Sequence, residues 1–105
     1  MVSKAFKTCL LLIEKMVKHG FINQIGKADV EKLVAIHIGA DKRTVDKYVR
    51  VCVQFELLEP HIWKQNKRGN IYYDNVSVFK INLMKADVQM KEVFGRPMKQ
   101  ITLES

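Results

Sequence analysis

Apolar residues in this chain recur every three to four positions up to Phe55, change to a period of two after Pro60, and return to the helical spacing from Leu83. A period of 3.6 marks one face of a helix and a period of two one face of a strand, so this order specifies an α+β, mostly helical chain. Phe6, Cys9, Leu10, Ile13, Met16 and Val17 form an i, i+3, i+4, i+7 stripe, which predicts a helix from Ser3 to His19 closed by Gly20. Phe21 to Gly26 reads as a connector. A second helix is expected over Ala28 to Ile38, with Val30, Leu33, Val34 and His37 or Ile38 turned inward. Asp41 is placed to cap a third, from Lys42 to Glu56, whose inward face is Val45, Tyr48, Val49 and Cys52, continued by Phe55.

Beyond Pro60, Ile62 to Gln65 and Ile71 to Asp74 read as strands around a turn at Asn66-Lys67-Arg68-Gly69-Asn70. Val76 to Leu83 alternates through Phe79, Ile81 and Leu83, as if prolonging the second strand past a bulge near Asn75. Leu83, Ala86, Met90, Val93 and Phe94 then predict a last helix, over about 83–94, ended by Gly95 and Pro97. With 105 residues and no internal repeat, one domain is expected over 1–95, followed by a tail, 96–105.

Composition removes several classes of function. A hydrophobic fraction of 48% is that of a globular chain, not a disordered one, and 105 residues are too few for a large catalytic barrel. The longest apolar run, Cys9 to Ile13, has five residues, against the ~20 needed to cross a bilayer. Lys15 and Lys18 follow too closely for that run to be a secretory signal core, so a soluble, cytoplasmic protein with no membrane partner is expected. Cys9 and Cys52 both fall on apolar helix faces and outside any C-x-x-C pair, and read as buried thiols. His19, His37 and His61 have no ligand-spaced acid or thiol beside them, so no metal site is expected. No glycine-rich phosphate loop, paired carboxylates or nucleophile–base pair is visible, and no enzymatic activity, cofactor or small-molecule ligand is expected. Eighteen Lys and Arg against eleven Asp and Glu leave a charge of +7, which points to a polyanionic partner, nucleic acid before a membrane surface.

The most informative stretch is Glu31 to Arg50. Two helices that cross through a very tight turn need a small residue where they touch, a residue tolerant of unusual dihedrals in the turn, and apolar residues facing a common core. Ala35 supplies the first, Gly39 the second, and Val34, Ile38, Ala40, Val45 and Tyr48 the third. In these residues the chain resembles the winged helix-turn-helix family of DNA-binding proteins, over roughly Phe6 to Leu83. Ala35, Gly39 and Val45 match that motif's marker positions, and Asp41-Lys42-Arg43-Thr44-Val45 looks like the start of a recognition helix. The resemblance implies a three-helix core with a β-hairpin wing at Ile62 to Tyr73. The last helix is additional to the minimal pattern.

The charges can be read without the family. Opposite the inward face of the third helix stand Lys42, Arg43, Thr44, Asp46, Lys47 and Arg50. The first turns of a helix presented this way fit the major groove of B-DNA, where Arg pairs bidentately with guanine O6 and N7. Arg43 and Lys47 are the expected base-reading residues, with Lys42, Thr44 and Arg50 positioning on phosphates. Lys64, Lys67 and Arg68 add a cationic hairpin for the minor groove or flanking backbone. The blander reading is a solvated face on which Asp41 and Asp46 pair with Lys42, Arg43 or Arg50. Trp63 and Tyr72-Tyr73 suit base stacking on single-stranded RNA, but aromatics on a small sheet more often fill a core.

Leu11 and Leu12 give the first helix a second apolar edge, and the last helix offers Met90, Val93 and Phe94. This surplus is expected to form a two-fold dimer that sets two recognition helices about one DNA turn, or a multiple of it, apart; the alternative is that the terminal helix folds back on helix one. The expected function is sequence-specific binding of double-stranded DNA by a small, repressor-like transcriptional regulator, associated with the nucleoid when bound. A replication or plasmid-partition DNA binder has the same physics. The competing class is a winged-helix protein–protein interaction module in a larger assembly, which has no need of clustered cations on helix three and the hairpin.

Overall fold

The computed structural model of the chain describes residues 3–60, 64–65, 67–69, 71–72 and 77–98, with the backbone alone for 64–65 and 71–72. Helix α1 (Lys4–Lys18) starts where the Ser3 hydroxyl accepts the Phe6 N–H, and the chain leaves it through Gly20 at φ 95°. Strand β1 (Gln24–Gly26) leads directly into α2 (Lys27–His37), and residues 38–41 connect α2 to α3 (Lys42–Gln54). Strand β2 (Leu58–Pro60), the short pair β3 (Lys64–Gln65) and β4 (Ile71–Tyr72), strand β5 (Val78–Ile81) and α4 (Leu83–Phe94) follow. The chain is therefore α+β, with four helices among the described residues and a three-stranded antiparallel sheet ordered β1-β5-β2.

Each strand of the sheet turns one face to the core. Ile25 lies opposite Phe79 and Leu58 opposite Ile81, and all four are buried, while Lys80 between them is exposed. That alternation is the period-two signal read in the sequence. Two of the three strands were not. Residues 24–26 were expected to be a connector, and Leu58–Pro60 lies ahead of the predicted strand start. Three residues are too few to display a period, and what makes them strands is pairing with β5, more than fifty positions from β1. Strands β3 and β4 pair Lys64 with Tyr72 and Gln65 with Ile71, giving the expected hairpin. The predicted bulge near Asn75, along with Ile62, Trp63 and Tyr73, lies outside the described residues, as do the side chains of Lys64 and Tyr72.

The core collects on α1. Cys9 and Cys52, both fully buried, bring α1 and α3 together, and Phe6 meets Phe55 edge-on with ring centroids 4.7 Å apart. A hydrogen bond with the Cys9 thiol, and then burial, push the Cys52 thiol pKa well up, so the pair packs as small hydrophobes, as the sequence suggested. At the end of α3, Glu56 takes a left-handed φ of 61°. Its carbonyl accepts the Asn82 side-chain amide, which joins that turn to the start of α4.

Helix α4 corrects the expected dimer surface. Met90 is 0% and Leu12 2% exposed within the single chain, and Val93 and Phe94 pack against the same core. Leu12 and Met90 are thus unavailable to a two-fold interface, Val93 and Phe94 are half-buried as α4 packs back on α1, and Leu11 stays exposed. Periodicity identifies an apolar face but not whether the same chain or another covers it. The expected tail also joins the fold. Arg96 forms a bidentate ion pair with the nearly buried Glu14, at 2.7 and 3.1 Å, and the Met98 N–H donates to Asp87 while its side chain is buried. The remaining tail residues, 99–105, lie outside the described residues.

Candidate nucleic-acid interface

The outward face of α3 is set by its inward one. Val49, Cys52 and Val53 are buried and Val45 and Tyr48 half-buried, which leaves Arg43, Lys47 and Arg50 exposed on the far side of the helix. Asp41 holds the helix start in place: its carboxylate accepts the Thr44 N–H at 3.0 Å. Hydrogen bonds from the Thr44 side chain and backbone lower the Asp41 pKa, so the cap is ionised and complements the positive end of the helix.

Together Lys42, Arg43, Asp46, Lys47 and Arg50 line a shallow, open depression of about 670 Å³. Its members are not equivalent. Lys42 is tied to Asp46 one turn on, at 3.0 Å, an exposed i, i+4 pair that neutralises both and raises the lysine pKa. Lys47 leans over the Tyr48 ring, 5.4 Å from its centroid, a contact that leaves its charge in place. Arg43 and Arg50 make no ion pair among the described residues. Of the pairings that a solvated face would bring, the one with Asp46 is therefore made by Lys42, and none is made by Arg43 or Arg50 among the described residues.

Thr44 departs from its expected role. Its side chain is half-buried and turned back onto the cap and the connection, with its methyl group beside Gly39. The Asp41–Thr44 spacing carries a capping signal in the sequence, and that signal, not an outward position, describes the residue. Gly39 also does a different job from the one expected. Its φ is not positive; instead, a Cβ there would come within 3.2 Å of the Thr44 methyl. The connection needs a small residue there, not an unusual dihedral.

At the hairpin turn Lys67, Arg68 and Gly69 are exposed, and Gly69 has φ 86°, which lets the chain reverse. What the sequence reading passed over is a third basic surface. Lys4, Lys7, Lys15 and Lys18 share the outer face of α1 with the exposed Leu11. Their spacing of three, eight and three was the available signal. Among the described residues no three His, Cys, Asp or Glu side chains form a cluster that could hold a metal ion, and no helix is long and apolar enough to cross a membrane. In comparisons with family models, curated proteins and solved structures, the chain matches none.

Proposed function

We propose that the chain is a winged helix-turn-helix protein that binds double-stranded DNA in a sequence-specific way, as a small, repressor-like transcriptional regulator. One observation carries the reading: Arg43, Lys47 and Arg50 stand together, exposed, on the first three turns of a helix whose start is fixed by an ionised cap. In the major groove Arg43 and Lys47 read base edges, Arg50 contacts a phosphate, and Lys42 contributes when Asp46 releases it. Three helices followed by a β-hairpin match the pattern implied by the resemblance, and Lys67 and Arg68 at the hairpin turn act as the wing's contact with the flanking backbone.

The test is selection of bound fragments from random duplex DNA, followed by titration of the selected duplex with the parent chain and with Arg43→Gln/Lys47→Gln/Arg50→Gln. A consensus should emerge, and the triple variant should lose at least tenfold in affinity and most of its preference over unrelated duplex. No enriched sequence, together with unchanged binding by the variant, refutes the assignment and favours an interaction module.

A further inference from the structure

Helix α1 has a charged face that packing does not use. With 3.6 residues per turn, Lys4, Lys7, Leu11, Lys15 and Lys18 fall within an arc of about 80°, along about 21 Å of helix. The only acid on the helix, Glu14, is held by Arg96, and the four lysines make no ion pair among the described residues. The stripe also points away from the α3 site. The core side of α1 meets α3 through Phe6–Phe55 and the two buried cysteines, and the lysines lie on the opposite side of α1. On α3, Arg43, Lys47 and Arg50 are likewise opposite Cys52. The two basic faces are thus turned outward on opposite sides of the packed α1–α3 pair.

From this arrangement we infer that α1 is a second, sequence-independent site for a nucleic-acid duplex, and that one molecule bridges two duplexes. A line of four ammonium groups, unpaired among the described residues, suits the regular array of phosphates along a duplex, about a dozen over 21 Å, and requires no base contact. A lipid surface suits it less. The apolar side of α1 is committed to the core, and the partly exposed Leu11 is the lone apolar residue of the stripe, too little to anchor a helix in a bilayer. Bridging rests on the α3 reading, whereas the α1 site stands without it.

The experiment immobilises one duplex on beads, adds the full chain, and measures capture of a second, labelled duplex. The parent should capture it, with a log–log salt slope steeper than that of single-duplex binding by about 3.6 for four added phosphate contacts. Lys4→Gln/Lys7→Gln/Lys18→Gln replaces exposed side chains only. With an unchanged melting temperature by circular dichroism, it should bind a single duplex within about threefold of the parent while losing at least tenfold in capture. Capture equal to the parent's overturns the inference, as does binding of the stripe to phosphatidylserine vesicles with no second duplex captured. A separate outcome sinks the α3 assignment instead: Arg43→Gln/Lys47→Gln/Arg50→Gln binds normally while the α1 variant loses single-duplex binding.

Discussion

Asp46→Asn is expected to tighten DNA binding although it adds no cation. In the folded chain Lys42 is held 3.0 Å from Asp46, with the two side chains 88% and 51% exposed. On α3 that leaves Arg50 for a phosphate while Arg43 and Lys47 read bases, and the hairpin turn adds Lys67 and Arg68 on the backbone. Three phosphate contacts at about −0.9 each predict a log–log salt slope near −2.7, or a loss of about 40-fold in affinity between 50 and 200 mM salt. The substitution releases Lys42 for a phosphate and removes a negative charge beside it. The slope should then steepen by about 0.9, and the loss over the same interval should reach roughly 150-fold, with tighter binding at 50 mM. Fluorescence anisotropy on one duplex at four or five salt concentrations measures both quantities. An unchanged slope, or weaker binding by a variant with parental helicity, refutes the placement of α3 against phosphates.

Three further outcomes test the fold around the site. Met90→Ala should cost about 2–5 kcal/mol in urea unfolding, by the same amount at every protein concentration, since the side chain is buried within one chain; a penalty that fades on dilution would show that a second chain covers Met90. Gly95→Ala forces alanine into a left-handed φ of 70° and should cost about 1 kcal/mol, whereas Gly39→Ala needs only a small shift of Thr44 and should stay within about 0.5 kcal/mol of the parent; equal losses would show that the α2–α3 connection is strained after all. The Asp41 carboxyl has a lowered pKa in the folded chain, so its stabilisation is present above the unfolded value, near 3.8, and is lost as pH falls through the lower folded one. Asp41→Asn retains a cap that does not titrate, so its melting temperature should fall less steeply than the parent's below pH 4; parallel curves would remove Asp41 from the acid response.

What could be read from the residues alone follows the reach of each signal. The span of α4 emerged correctly because Leu83, Ala86, Met90 and Phe94 hold one period for three turns and Gly95 ends it. Its destination did not, because Leu12 and Met90 are equally apolar whether α4 or a second chain covers them. Strands β1 and β2 were missed because their identity resides in β5. On α3 the outward direction of Arg43, Lys47 and Arg50 follows from Val49 and Cys52, whereas Thr44 depended on a local competition between cap and surface that the cap won. Arg96 carried no pattern; its role becomes visible only when α1 and the segment after α4 are adjacent.

The position of β5 sets a timetable for folding. It is the middle strand, so β1 and β2 have no partner until residues 78–81 exist, and the clasp of Arg96 on Glu14 comes later still. During synthesis, which proceeds from the N-terminus, the three helices through Gln54 emerge as a unit with an unfinished edge. A released chain truncated before residue 78 would therefore carry α3 and its arginines on a body that lacks its sheet. In such a chain Ile25 and Leu58 should be open to chaperones and proteases, and restoring residues 78–81 should close them.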